Sequence, residues 1–312
     1  EGRLIGQDHL DRLLDADLII FLSRHSSINP FPVLTVHVTG NIGPADLGGT
    51  SHSVAVAAPG WMHAVLRRLS FHAPPGYRVS YEVTHHGPSE LEIPSFFVEI
   101  GSTEREWQDP AAGTAVARSV LDADPEETIN LLGIGGTHYA RRETEIALAS
   151  RAAFGHIVHS RYTSTIDGKM LHYLMRMSKA RAVYMDRKAL SAGDLSRLSV
   201  LIDEEGITRL SETELLQLNH LSWETWQAVR EIARKTDPGA GVHISGLVRE
   251  GKPRTINLHP VLIREALLAD ALSLQNGLEQ LPVISLSTRS NPLLPVFIIT
   301  VENSPVVLNA LI

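Results

Sequence analysis

The chain contains no cysteine. Disulfides, thiolate nucleophiles and cysteine-held zinc are thereby excluded, and His, Asp and Glu remain as the side chains able to ligate a metal. No stretch reaches the roughly 18 uninterrupted apolar residues that a membrane-spanning helix requires, so no membrane association is expected. Nothing near Glu1 has the charged start, apolar middle and small-residue cleavage site of a signal peptide, and a cytoplasmic location is expected. The first residue is not methionine, so a further N-terminal part is expected ahead of it. An excess of positive charge is also lacking: the net charge is -7, which by itself speaks against a nucleic-acid partner.

Distribution modifies that reading. Between Arg161 and Lys188 stand seven basic residues, among them Arg161, Lys169, Arg176, Lys179 and Arg181, against Asp167 and Asp186. From Glu99 to Glu127 eight acidic residues face Arg105 and Arg118. The pattern predicts a polarised surface that a polyanion approaches from one side, although two ordinary solvated faces would read the same way.

A chain of 312 residues accommodates two domains. Short apolar, β-branched runs alternate with helical patterns over residues 1–208. Strands are expected at 18–22, 33–39, 53–57, 79–84, 96–100, 129–134 and 182–184, and helices at 60–69, 113–122, 142–153 and 168–177. This alternation predicts an α/β three-layer sandwich on a mixed, largely parallel sheet, whose central strands read as continuous apolar runs. Residues 209–312 change texture to a charged helical segment, an Asp237-Pro-Gly-Ala-Gly241 turn, a helix from Pro260 to Gln275 and apolar strands at 242–245, 281–286 and 296–301. They read as a small α+β appendage.

Fifteen histidines are present, and several follow strand ends: His25, the pair His85 and His86, and His138, with His37 near the end of another strand. In open parallel sheets the ligand crevice lies beyond the carboxyl ends of the strands, so these loops could share one cleft. Singly, such a histidine is as readily a hydrogen-bonded structural side chain. The segment Thr84-His-His-Gly-Pro-Ser-Glu-Leu-Glu92 packs two imidazoles and two carboxylates around a turn, the donor types of a non-thiolate zinc site or of general-base chemistry. The run Leu132-Gly-Ile-Gly-Gly-Thr-His-Tyr139 ends a strand and opens a helix, where amides can meet an anion or oxyanion, or form a structural turn only. It has neither the P-loop lysine nor dinucleotide spacing, and no G-x-S-x-G nucleophile elbow occurs in the chain.

These segments, with Ser23-Arg-His-Ser-Ser27, Leu34-Thr-Val-His-Val-Thr-Gly-Asn41 and Ala153-Phe-Gly-His-Ile157, resemble in content and order the motifs of the archaeal and plant D-aminoacyl-tRNA deacylases. The resemblance spans about Asp17 to Glu205 and leaves the part from about Leu210 onward without a counterpart. It implies a monomeric, zinc-dependent hydrolase of D-aminoacyl-tRNA, with a fold related to peptidyl-tRNA hydrolases and nucleoside phosphorylases. Within that frame His25, His85 and His138 are expected to hold zinc, and His86 and Glu90 to activate or orient water; a metal-free site is the alternative. Gly135, Gly136 and Thr137 would serve the oxyanion or terminal ribose. Ser26, Asn41 and Tyr139 would contact the amino acid or adenosine, and Arg161, Lys169, Arg176, Lys179 and Arg181 the tRNA. Two other readings stay open: peptidyl-tRNA or nucleoside processing on the same scaffold, and a non-catalytic RNA-binding module.

Overall fold

The computed structural model describes residues 4–218 and 221–300. The chain divides into two compact units, Glu1–Ser211 and Glu212–Ile312.

The first unit opens with β1 (Ile19–Arg24), β2 (Val33–His37) and the short hairpin β3 (Gly40–Asn41) and β4 (Ser53–Val54). Helix α1 (Pro59–His72) starts with proline at its first turn, where a missing N–H costs nothing. Then follow β5 (Arg78–Tyr81), β6 (Ser95–Gly101), α2 (Glu104–Trp107) and α3 (Pro110–Leu121). A capping box of Thr103 and Glu106 starts α2, and Asp109 caps α3 by accepting from the Ala111 amide. The unit continues with β7 (Ile129–Ile134), α4 (Arg141–Ala149), β8 (Ala152–Val158), α5 (Gly168–Met177), β9 (Ala182–Met185) and α6 (Ala192–Glu204).

The unit is α/β, with helices packed on mixed, largely parallel sheets. One sheet has the order β1-β6-β2-β5, in which β2 and β6 run antiparallel while the outer pairs are parallel. The other, β8-β7-β9, is wholly parallel. The single sheet expected from sequence is therefore interrupted. Past Tyr81 the chain leaves the ladder to form the histidine loop, and isolated bonds such as Val83 N to His138 O, Thr84 N to Ile157 O and Ala140 N to Tyr81 O tie the two sheets together. Leu132 and Ile134 of β7 pack with Leu171 and Leu174 of α5 and Leu198 and Ile202 of α6. Helices α1 and α4 lie against β8, every residue of which is buried, as covering from both faces demands.

The expected helix 142–153 ends earlier, at Ala149, and its last residues belong to β8. The alanines there favour helix locally, but Ser150 breaks the pattern, and the apolar run Ala152–Val158 is held as the buried partner of β7.

The second unit contains α7 (Glu212–Gln217), α8 (Trp223–Thr236), β10 (Gly241–Ile244), β11 (Arg254–Asn257), α9 (Pro260–Glu279), β12 (Ile284–Ser287) and β13 (Val296–Ile299). Its sheet is antiparallel in the order β10-β12-β13-β11. Ile263 and Leu278 of α9 pack with Ile256, Val283, Phe297 and Ile299. Helix α9 is longer than expected and carries one non-helical residue, Asp270. Strand β11, mostly exposed and flanked by charge, is an element that apolar patterning missed.

Candidate metal and active centre

Strand register builds the site. Thr35 pairs with Glu99 and His37 with Phe97 across β2 and β6; Thr35 pairs with Ser80 in β5, and Ser23 of β1 with Glu99. Paired residues share a face and side chains alternate with period two, so His25, Glu99, His37 and Glu82 all project from one face. The site therefore lies on a sheet face, rather than only beyond parallel strand ends. The antiparallel junction of β2 and β6 makes this possible by setting His37 beside a strand of opposite direction. The loop after β5 adds His85 and His86, and the loop after β7, at a true carboxyl end, adds His138 and Tyr139.

Glu82 is the hub. Its buried carboxylate lies 3.1 Å from His25 Nδ1, 4.0 Å from His37 Nε2, 3.5 Å from His85 Nε2 and 3.4 Å from His138 Nε2. Glu99 is 3.6 Å from both His25 Nδ1 and His37 Nε2. The other nitrogen of His25 meets the Tyr139 hydroxyl at 2.9 Å, and Gly101 leaves the space its ring occupies: a Cβ there would come within 2.7 Å of the imidazole.

The backbone fixes three tautomers. A carbonyl oxygen can only accept, so Nδ1–H of His37, His85 and His86 donates to Val38, Val83 and Gly87 respectively, at 3.4, 2.8 and 2.6 Å. Each ring then carries its lone pair on Nε2. For His85 that lone pair faces a carboxylate, an arrangement that calls for a cation or a proton between them.

Two observations agree with that demand. Both Glu82 oxygens and His37 Nε2 are buried without a hydrogen-bond partner. Two trios, His37 with His85 and His86, and His25 with Glu82 and His138, bring ligand atoms within 4.8 Å of one another; His37, Glu82 and Glu99 form a third, overlapping group. The donor chemistry, imidazole and carboxylate without thiolate, fits zinc.

Electrostatics in the cluster follow burial first. Burial, then neighbouring imidazoles, lowers His85 well below its ordinary value and brings His86 and His138 to about 4. Burial opposes charge on His25 and His37 too, but Glu99 and Glu82 outweigh it and both are raised. Glu82 is raised by burial. Burial also pushes Glu99 up, but the neighbouring His25 and His37, each 3.6 Å away, outweigh it and hold Glu99 well below the carboxylate range.

The expected ligands His25, His85 and His138 thus stand in one cluster but divide between two trios, and His86 joins His85 in the first. Glu90 belongs to none of these groups; it pairs with His9 at 3.1 Å, and its amide bonds Asp8. Sequence reasoning passed over Glu82 and Glu99 and left His37 outside the ligand set. A lone acid inside an apolar strand, in Val79-Ser-Tyr-Glu-Val83 and Phe96-Phe-Val-Glu-Ile100, was the available signal. Glu99 was instead counted with an acidic surface, from which its burial and that of Glu106 remove both.

Asn41 is buried and donates to the Gly48 and Thr50 carbonyls, lining a small hollow with His85, His86 and Arg161. Gly135 and Gly136 take φ of 115° and 92°, open only to glycine without strain, and turn the chain towards exposed Thr137. Ser26 is exposed beside His25. The basic residues do not form one patch at the site. Helix α5 runs back from the carboxyl edge of β8, so Arg161 and Lys169 lie towards the site edge. Arg176, Lys179 and Arg181 reach the opposite edge, where β9 begins.

Residues 13–210 match the family model described as D-aminoacyl-tRNA deacylase. The chain belongs to that family. It is accordingly an enzyme. The D-aminoacyl-tRNA deacylase of Methanoregula boonei is 52% identical over 311 residues, covering 99% of this chain and 71% of that protein. That of Methanoculleus marisnigri is 52% identical over 297 residues, 95% and 68% of the two chains. The part after Leu210, for which the motifs supplied no counterpart, therefore has one in these deacylases. A crystal structure of a conserved protein of unknown function aligns with a TM-score of 0.65 at 36% identity, covering 69% of this chain and 79% of the other. No helix among the described residues of this deacylase-family chain is long and apolar enough to cross a membrane.

Proposed function

We propose that the chain cleaves the ester between a D-amino acid and the terminal adenosine of tRNA, as a zinc-dependent cytoplasmic monomer. The observation that carries this reading is the cluster of five imidazoles and two carboxylates around an unpartnered Glu82, in a chain of the deacylase family. His37, His85 and His86 would hold the ion; His25, Glu82 and His138 form a second fitting set. When bound, zinc supplies a Lewis acid for the ester carbonyl and lowers the pKa of a bound water to about 7.

The chain's own residues do the rest. Glu82 Oε2, facing His85 and His138, is the atom placed to take a proton from an attacking water, a role that sequence reasoning gave to Glu90. Glu99 orients His25 and His37 from behind, as carboxylates do for ligand histidines. Tyr139 holds the far nitrogen of His25 and walls the cluster towards solvent. The turn of Gly135, Gly136 and Thr137 offers amides to the oxyanion or ribose. Ser26 flanks the amino acid, and Arg161 and Lys169 are the basic residues placed to meet RNA near the site.

The test is hydrolysis of D-tyrosyl-tRNA beside L-tyrosyl-tRNA, before chelation, after it and with zinc restored. Selective D-ester cleavage that is lost and rescued is the expected result; cleavage untouched by chelator would overturn the zinc assignment.

A further inference from the structure

A groove of about 820 Å³ borders the cluster at Tyr139 and follows the edge strand β5. Tyr77, Arg78, Val79 and Ser80 line it in succession, so it follows β5 from Ser80 back past the start of the strand. Over those four residues it extends about 10 Å at strand rise. Tyr139 stands at its inner end, with its hydroxyl on His25.

The lining is specific in kind. Phe31 lies against Tyr139 with ring centroids 5.0 Å apart, and the Arg78 guanidinium sits over the Phe31 ring at 4.6 Å. Tyr77, Val79 and Leu148 supply further apolar wall. Arg78 is exposed, with its guanidinium over that ring and its charge acting on Tyr139, while the groove's carboxylate, Glu145, is paired with Arg141 and Arg142. Aromatic faces beside an uncompensated guanidinium are what unpaired nucleotides use, stacking bases on the rings and setting phosphate against the cation. A dry pocket for an amino-acid side chain would have no use for the guanidinium.

We infer that this groove receives the unpaired 3′ end of the RNA, the nucleotides immediately upstream of the esterified adenosine, with Phe31 as stacking platform and Arg78 as phosphate contact. The inference rests on the deacylase reading above. At about 3.4 Å per stacked nucleotide, the groove has length for more than one of them.

The test compares two substrates, D-tyrosyl-tRNA and the D-tyrosyl ester of adenosine alone, which has no upstream nucleotides. Phe31→Ala and Arg78→Glu should each raise KM for the tRNA ester about tenfold, with kcat within about twofold, and should leave KM for the adenosine ester unchanged. Arg78→Glu should also reduce the slope of log KM against log salt by about one. Its position at the exposed strand start keeps folding intact, which an unchanged Tm verifies. Equal KM changes for both substrates would place the amino acid or adenosine in the groove and overturn the inference. So would an unchanged KM for the tRNA ester. Failure of the unaltered protein to cleave either ester would instead remove the deacylase reading itself.

Discussion

Two buried regions of the first unit use the same side chain to opposite ends. In β8, His156 is fully buried and fully satisfied: Nε2–H donates to the Ala55 carbonyl and Nδ1 accepts from the Thr84 hydroxyl, each at 2.9 Å. That hydroxyl in turn accepts from the Ile157 amide. In the cluster, the buried His37 and the part-buried His85 turn Nε2 towards carboxylates 3.6 and 3.5 Å away, and His37 Nε2 has no hydrogen-bond partner. The difference teaches that burial of a histidine says little. Whether both ring nitrogens find complementary partners separates a structural imidazole from one that awaits a cation.

The comparison can be broken first at its strongest point. His85→Ala should abolish zinc content and D-ester cleavage together while the protein stays folded, as metal analysis and turnover on one preparation would show. Retained turnover in zinc-free mutant protein would dissolve the contrast. Glu82→Gln should keep zinc on His37, His85 and His86 yet lower kcat by about 10²–10⁴. In chelated protein the same change should stabilise the fold by about 1–3 kcal/mol in urea, because an unpartnered buried carboxylate is removed. His156→Ala should do the reverse, costing about 2–4 kcal/mol through a cavity and two abandoned partners, with zinc content unchanged.

The pH dependence sharpens the same contrast. Burial lowers His156 to about 4, from an ordinary value of 6.5. The neutral ring's contribution is complete above 6.5 and is lost as pH falls towards 4, at most about 3 kcal/mol for such a shift. Stability measured from pH 7 to 4.5 should therefore fall less steeply in His156→Gln than in the unaltered protein; parallel curves would contradict the assignment. The smallest effect belongs to the second unit. Lys235 and Glu231 pair at 2.6 Å on the exposed side of α8, and Lys235→Ala should cost no more than about 0.5 kcal/mol.

Much of the first unit was legible because strands buried on both faces are rich in apolar residues, as 129–134 and 33–37 are despite Asn130, Thr35 and His37, and because the helix over 168–177 is bounded by its Asp167 cap. Strand β8 was hidden by alanines that suit either state, and β11 by charge on an exposed strand. In the site, the Thr84-His-His segment and His138 stood out as polar residues after strands. Glu90 drew attention by nearness in sequence, yet the chain beyond the Gly87-Pro88 turn carries it away to His9.

The sequence by itself determined the chemistry available: no thiol, many imidazoles, carboxylates beside them, and motifs in an order that marks the family. Those are properties of composition and local pattern, and they survive without coordinates. Which donors meet was decided only by the tertiary structure. Glu99 and His37 lie in β6 and β2, and His25 and Glu82 directly follow β1 and β5, up to 74 positions apart, so their meeting depends on strand order, on one antiparallel junction and on register. A slip of one residue would turn any of them to the opposite face, and no local pattern records that choice.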